Sequence, residues 1–341
     1  MNLKQLSQLL GLSQTTVSRA LNGYPEVNRE TRQRVLQAVK DTGYRPNRAA
    51  QRLATGKSGS IGLIMPTASD HAADVHYGEF QSGLSEEALR HDFHFVTVPA
   101  HPRDEQQAIR WLVSSGNVDG YYLAYMREND PRIAMAKSLS LPFIVHGRAI
   151  GVETDYPFLD IDNHAAFFDA TKLLVQLGHV RTALLNGLEE FDFAIRRRQG
   201  MTAALNAAGL QLDPALTRQS PLADDYGFRG MSELLQMAEP PTAVLCSSTV
   251  LALGAVRAIN MAGLKLGEDI SLIAHDDVLP LLKPEHFSIP LTTTRSSLRA
   301  AGIRVAERLI GEIKGVEPQP PSAELWKADL VVRASTGPAP R

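Results

Sequence analysis

The stretch LSQTTVSRALNGYPEVNRETRQRVLQAV, residues Leu12 to Val39, decides how this chain is read. Val17, Ala20 and Leu21 recur at i, i+3 and i+4, which predicts a helix from Gln14 with one apolar face. Ser13 stands where a side-chain oxygen can accept from that helix's first free amides. Gly23, Tyr24 and Pro25 interrupt it, and Asn28 or Thr31 can open a third helix with Val35, Ala38 and Val39 inward. Upstream, Leu3, Leu6, Leu9 and Leu10 keep helical spacing as far as Gly11. Three short helices with a tight turn between the first two predict a helix-turn-helix over residues 1–46. The polar face of its second helix carries Gln14, Thr15, Ser18, Arg19 and Asn22. Arg takes guanine by two hydrogen bonds, Gln prefers adenine and the Thr methyl packs on thymine. Gln14, Thr15 and Arg19 are therefore the expected base-edge readers, with Ser18 and Asn22 at phosphates. A face that merely meets water shows the same amphipathy; turn, helix order and charge together favour the DNA reading.

Charge points the same way. Net charge is −2, yet residues 1–60 hold ten Lys/Arg against three acids, +7, which leaves −9 on the remainder. A small basic head on a larger acidic body suggests that a polyanion is met through the head alone. The 341 residues, 44% hydrophobic and 21% charged, are those of a globular chain with room for more than one domain. No apolar run approaches the roughly 20 residues of a membrane span. The start, MNLKQLSQLLGLS, lacks a basic segment leading into an apolar core, so a cytoplasmic protein is expected. Cys246 is the single cysteine, which excludes an intrachain disulfide and a multi-cysteine metal site.

From Ser60 the pattern changes. Strand-like runs at 60–66, 93–98, 118–124, 142–147, 182–187, 242–248 and 270–275 alternate with helical stretches at 104–115, 164–177, 194–208, 249–262 and 297–313. Continuous apolar strands separated by helices predict buried parallel sheets. The series is long for one sheet, and a break near Phe158–Asn163 suggests two lobes. Ligands of such lobes bind in the cleft at the strands' carboxyl ends. Tyr125 and Arg148 end two of these strands. The segment TASDHAADVHYGEF (67–80) reads as a long loop, with Asp70, His71, His76 and Tyr77 as wall residues of that cleft. Its two His and two Asp invite a metal reading, but loop histidines without helical spacing more often bond or face solvent, and no metal or cofactor is expected.

TVSRALNG, TRQRV and GYRPNRAAQRLATGKSGSIGLIMP together resemble the start of a LacI-family transcription repressor. LGHVRTALLNG (177–187), RRRQGMTAALNAAGL (196–210), PTAVLCSSTVLALGAVRAINMAGLKLGEDISLIAHDD (241–277) and PLTTTR (290–295) extend the likeness. The resemblance implies an α/β fold: the helix-turn-helix head, a hinge helix and linker at 47–59, and a two-lobed core like a periplasmic binding protein at 60–341. Lobe 1 is expected at about 60–160 plus part of 291–325, and lobe 2 at about 161–290 plus the C-terminal segment. In the family the hinge helix enters the minor groove, where a leucine wedges between base pairs; Leu53 occupies the matching position. Asn47, Arg48, Ala50, Ser13, Thr16, Asn28 and Tyr44 join the candidate DNA contacts. Leu53 as ordinary packing at a domain boundary is the alternative.

For the effector, Arg197 matches the family arginine that grips hydroxyls and Asp276 its effector-binding acid, with Phe193 as the aromatic that stacks on a sugar ring. Arg197 could equally be a surface arginine between Arg196 and Arg198, and Asp276 a helix cap before VLPLL. Ser248 and Thr249 stand in the place of the family's Asn-Asp pair, so they are candidates whose chemistry does not carry over. The resemblance implies a dimeric repressor of operator DNA induced by a small neutral carbohydrate, and it is nearest to regulators of α-glucoside uptake operons. A purine-like corepressor and a sugar sensor without DNA activity are the alternatives. CSST (246–249) puts a cysteine and serines at a strand end as a nucleophilic enzyme would, but no elbow or phosphate loop accompanies it, so no enzyme is expected. The absence of a terminal leucine heptad run favours a dimer over a tetramer.

Overall fold

A computed structural model describes residues 1–44, 56–67, 75–316 and 323–340, and the chain forms two compact units, Met1–Gly59 and Ser60–Arg341. In the first, α1 (Leu3–Leu10), α2 (Gln14–Leu21) and α3 (Arg29–Thr42) follow one another closely. Each start is capped. Asn2 and Gln5 exchange side-chain and backbone hydrogen bonds at α1, Ser13 accepts from the Thr16 amide, and Asn28 accepts from the Thr31 amide at 2.7 Å. Gly11 ends α1 at φ +64°, a left-handed turn that glycine takes without steric penalty. Leu6, Val17, Ala20, Val35 and Tyr44 fill the small core. Leu9 shares the leucine spacing but is 61% exposed.

The second unit holds two six-stranded sheets. One has the order β11-β5-β4-β3-β1-β2, from β1 (Ser60–Pro66), β2 (His94–Ala100), β3 (Gly120–Leu123), β4 (Phe143–His146), β5 (Phe158–Ile161) and β11 (Ala323–Trp326). The other is β12-β10-β9-β8-β6-β7, from β6 (Thr182–Asn186), β7 (Thr217–Gln219), β8 (Ala243–Cys246), β9 (Ser271–Asp276), β10 (Thr292–Arg295) and β12 (Asp329–Val331). All pairings are parallel except β10 with β12. The chain passes between sheets after β5, after β10 and after β11, so three segments join the lobes.

Burial on both faces explains the continuous apolar strands. In β3, Tyr122 faces α4 (Val75–Arg90) and α11 (Leu298–Lys314), while Tyr121 and Leu123 face α5 (Glu105–Ser114) and α6 (Pro131–Ser138). In β8, Ala243 and Leu245 face α7 (Asn163–Gln176) and α8 (Asp192–Ala207); Val244 and Cys246 face α9 (Asp224–Leu235) and α10 (Thr249–Met261). Among the described residues no helix is long and apolar enough to cross a membrane.

Two expectations are corrected. Residues 75–80 are not loop: α4 starts at Val75, and His76, Phe80, Gly83, Leu84, Glu87 and Ala88 form its buried stripe. Asp70 and His71 lie outside the described residues. Phe158–Ile161, part of the stretch Phe158–Asn163 read as a break between two lobes, is itself the strand β5; the chain does leave lobe 1 directly after it.

Glycines set how closely the helices approach. A Cβ at Gly83 would lie 2.0 Å from the Arg299 carbonyl oxygen, and one at Gly302 would lie 2.1 Å from that of Phe80. These contacts are backbone, so α4 and α11 must separate to admit a methyl group. Gly302→Ala is expected to destabilise lobe 1 by about 1–3 kcal/mol, read as a lower urea midpoint. An unchanged midpoint contradicts the close approach.

Candidate effector cleft and DNA-reading face

On α2, Gln14, Thr15 and Arg19 are exposed side by side, as helical spacing places them. Ser18 and Asn22 are half-buried, and the Asn22 amide donates to the Ser18 carbonyl at 2.9 Å while closing the helix. Ser13 and Thr16 share a hydroxyl hydrogen bond at the N-terminus, and Asn28 is occupied as a cap. Tyr44 does not join this surface. It is 6% exposed in the head's core, where packing accounts for its aromatic ring. Asn47, Arg48, Ala50 and Leu53 lie outside the described residues.

The cleft between the lobes is built at strand ends. Lobe 1 supplies His76, Tyr77 and Phe80 from α4, Tyr125 after β3, His146 and Arg148 at the end of β4, and Asp160 at the end of β5. Lobe 2 supplies Asp192, Phe193, Arg196 and Arg197 from the first turns of α8, and His275 and Asp277 from the end of β9. Of the sequence-derived effector residues, His76, Tyr77, Tyr125, Arg148, Phe193 and Arg197 come together here.

Arg197 is not a surface residue. Its guanidinium lies 5.3 Å from the Phe167 ring centre and 5.0 Å from that of Phe193. It donates to Asn163 Oδ1 at 2.7 Å and to the Ser247 carbonyl. Burial lowers its pKa to about 10, so it stays charged at neutral pH. Asp277 sits between two imidazoles, with His76 Nε2 and His275 Nε2 each 3.4 Å from one of its oxygens. Burial opposes its ionisation, but His275, His76 and Arg197 outweigh that and hold the pKa at about 2. Arg148 donates to Asp160 at 2.8 Å; burial nevertheless raises the Asp160 pKa.

Asp276 is a correction. Alternation along β9 sends His275 and Asp277 to the cleft and Asp276 elsewhere. Its carboxylate accepts from the Val278 amide at 2.8 Å and lies 3.5 Å from Arg295, and no helix follows for it to cap. Ser248 and Thr249 are corrected too. Both are fully buried at the start of α10, where Ser248 caps the helix by accepting from the Leu251 amide, and neither lines the cleft. Sequence reasoning missed Asp277, His146, Asp160, Asp192 and Arg196. Their shared signal is position: each stands at a strand's carboxyl end or within the first five residues of the helix that follows.

Tyr125 adopts φ +53°, a conformation that strains a non-glycine residue. The restraint comes from beneath. Arg132, 7% exposed, donates to the Tyr125 carbonyl at 2.8 Å, to Glu105 at 2.6 Å and to Asp130 at 2.7 Å. Held this way, Tyr125 packs 5.4 Å from Phe191 of lobe 2, and Arg127 lies 5.5 Å from the same ring. Cys246 is fully buried in β8, and burial pushes its thiol far above the ordinary range, which removes it as a nucleophile.

Residues 58–324 match the family model for periplasmic binding proteins and the sugar binding domain of the LacI family, and residues 2–47 match that for bacterial regulatory proteins of the lacI family. The chain is 66% identical over 339 residues to the HTH-type transcriptional regulator AglR of Rhizobium meliloti (strain 1021), covering 99% of this chain and 95% of that protein. It is similar to the lac repressor dimer bound to operator and the anti-inducer ONPF, with a TM-score of 0.81, 25% identity and 99% of each chain covered. Its likeness to the transcriptional regulator CelR in complex with cellobiose has a TM-score of 0.71 and 28% identity, covering 98% of this chain and 99% of that one.

Two outcomes follow from the site's electrostatics. Arg132→Ala leaves Asp130 buried without its guanidinium and Glu105 with only the longer contact to Arg127 at 3.5 Å, and the expected loss is about 3–5 kcal/mol of stability, measured by urea unfolding. Burial lowers the pKa of His146 from 6.5 to about 4 and also lowers those of His179 and His275. The unfolded chain then takes up these protons at higher pH than the folded one, so the stability contributed by these imidazoles is complete above pH 6.5 and is lost as pH falls toward 4, outweighing the opposite, smaller contribution expected of the carboxyls whose pKa burial raises. Calorimetry should show a melting temperature that is level from pH 8 to 7 and declines below; a level profile down to pH 4 contradicts this.

Proposed function

This chain belongs to the LacI family of bacterial regulatory proteins, and we propose that it is a homodimeric, cytoplasmic repressor whose hold on operator DNA is set by a small neutral carbohydrate. Each head reads half of a pseudo-palindromic operator in the major groove through Gln14, Thr15 and Arg19. Residues 47–59 of the two copies meet the minor groove at its centre, with Leu53 as the wedge. The effector acts as inducer, and the regulated genes serve uptake or breakdown of the sugar. The ligand class that fits is an α-glucoside disaccharide, following the resemblance of both lobes to regulators of such operons.

The charge balance of the cleft carries the effector reading. Asp160, Asp192 and Asp277 stand against Arg148, Arg196 and Arg197, with aromatic rings of Tyr77, Tyr125 and Phe193 beside them. Paired carboxylates and guanidiniums suit hydroxyls, and the rings suit the apolar face of a sugar. A phosphorylated ligand calls for a surplus of cation that this lining lacks. Binding without turnover is the reading that fits the likeness to transcriptional regulators. A ligand shifts DNA binding only by its difference in affinity for the DNA-competent and incompetent arrangements.

The full chain is tested by fluorescence anisotropy on duplexes from its own upstream region. Affinity should fall steeply with salt, Arg19→Ala should weaken binding to the specific duplex at least tenfold, about the worth of one base contact, and Leu53→Ala should do the same without unfolding the head. Maltose, sucrose or trehalose should release the duplex. Salt-independent binding, or none, sinks the repressor reading; release by purines and not by sugars replaces the effector class.

A further inference from the structure

Asp192 opens α8 at the mouth of the cleft and is 2% exposed. It belongs to lobe 2, yet two of its hydrogen bonds cross to lobe 1. Its amide donates to the Met126 carbonyl at 2.9 Å, and its Oδ2 accepts from the Ile150 amide at 2.6 Å. The other oxygen, Oδ1, is buried and has no hydrogen-bond partner among the described residues, while the side chain lines the cleft. Burial raises the pKa of this carboxyl, Arg196 one turn along the helix opposes that rise, and Asp130 and Asp160 add to it. A buried acceptor left unmade is unfavourable by about 1–3 kcal/mol, more for a charged group. Among the described residues nothing donates to Oδ1, and Asp192 is one of the residues that line the cleft.

We propose that Asp192 is a ligand-contact residue that joins recognition to lobe closure: Oδ1 accepts a hydroxyl of the bound sugar while Oδ2 holds the Ile150 amide of the opposite lobe. The assignment rests on the carbohydrate reading of the cleft and narrows it. The ligand must present a hydroxyl donor at this position, and a carboxylate or phosphate there is repelled. The bond to Ile150 lasts only while the lobes are together, so a donor that fixes the Asp192 carboxylate favours the closed arrangement. Ligand and closure then stabilise one another through a single side chain.

The test is calorimetric titration of the full-length protein and of Asp192→Asn with maltose, sucrose and trehalose, and with the acid maltobionate. Asparagine keeps the shape and an oxygen for Ile150 but turns an NH2 donor toward the sugar in place of the acceptor; Asp192→Ser serves if it does not fold. A neutral sugar that binds the parent should bind the variant roughly tenfold or more weakly, and the preference for maltose over maltobionate should narrow because the repelling charge has gone. Equal affinity of parent and variant for a neutral sugar overturns the assignment and leaves the carbohydrate reading standing. An equal loss of neutral and acidic sugars marks structural damage and also overturns it. If no neutral sugar binds the parent, the carbohydrate reading itself fails and takes this assignment with it.

Discussion

The guanidinium of Arg197 is held out of water between the rings of Phe167 and Phe193, and much of the cleft is arranged around that charge. Its hydrogen bonds tie together the start of α7, where the chain first crosses between lobes, and the end of β8, through Asn163 and the Ser247 carbonyl. Burial lowers its pKa without discharging it at neutral pH. A buried cation calls for nearby anions, and Asp277 and Asp160 supply the field. Conversely, carboxylates gathered this closely are tolerable only because guanidiniums stand among them. Recognition chemistry and packing are thus one feature here: the groups that can grip a hydroxyl pair are those that neutralise one another when the cleft is empty.

What joins the lobes is slight beside what holds each together. The apolar clusters under each sheet are built from that sheet's strands and flanking helices, with α11 counted in lobe 1. Across the cleft run a few polar or aromatic contacts: Asp192 to Met126 and Ile150, His76 to Asp277, and Tyr125 against Phe191. Lobes with separate cores and three connecting segments can move as bodies, because rotation about the segments disturbs no packed layer. The buried Arg132 network then has a clear consequence. It fixes Tyr125, one of four described non-glycine residues at positive φ, whose ring meets Phe191 across the cleft.

Much of this was readable from residues alone, and the failures have physical causes. Strands such as AVLC and the SLIA that opens β9 announce themselves because both faces are buried and every position is apolar or small. The same uniformity hides which side chain points where. Asp276 and Asp277 are adjacent acids, and only the register of β9 separates a cleft carboxylate from one that bonds the Val278 amide. The start of α4 was hidden for the opposite reason. His76 and Gly78 have poor helix propensity, and its stripe is carried by His, Gly and Glu as well as Phe, Leu and Ala, so tertiary packing decides it. Ser248 and Thr249 looked like a substituted ligand pair because the resemblance puts them in the place of the family's Asn-Asp pair. The helix cap that Ser248 makes turns both inward instead. The head was legible almost throughout, since capping residues, Gly11 and the Val17–Ala20 spacing act locally; Tyr44 was the exception, its burial depending on contacts with α1, α2 and α3.

The division of charge between the units separates two equilibria that share one molecule. The head carries +7 and the remainder −9, so attraction to a polyphosphate backbone arises in the head, and counterion release makes it fall with salt. Gln14 and Thr15, proposed above as base readers, carry no charge, so on that proposal part of base reading is spared this dependence while phosphate contacts are not. In the cleft, three carboxylates face three guanidiniums around a space suited to a neutral ligand, and their mutual attraction in a buried site is little screened. Binding a neutral molecule there displaces no counterion. Ionic strength therefore tunes how firmly the head holds DNA and leaves the sensing of the ligand nearly alone. A repressor built this way can have its DNA affinity set by salt and composition of the cell without losing calibration toward its effector.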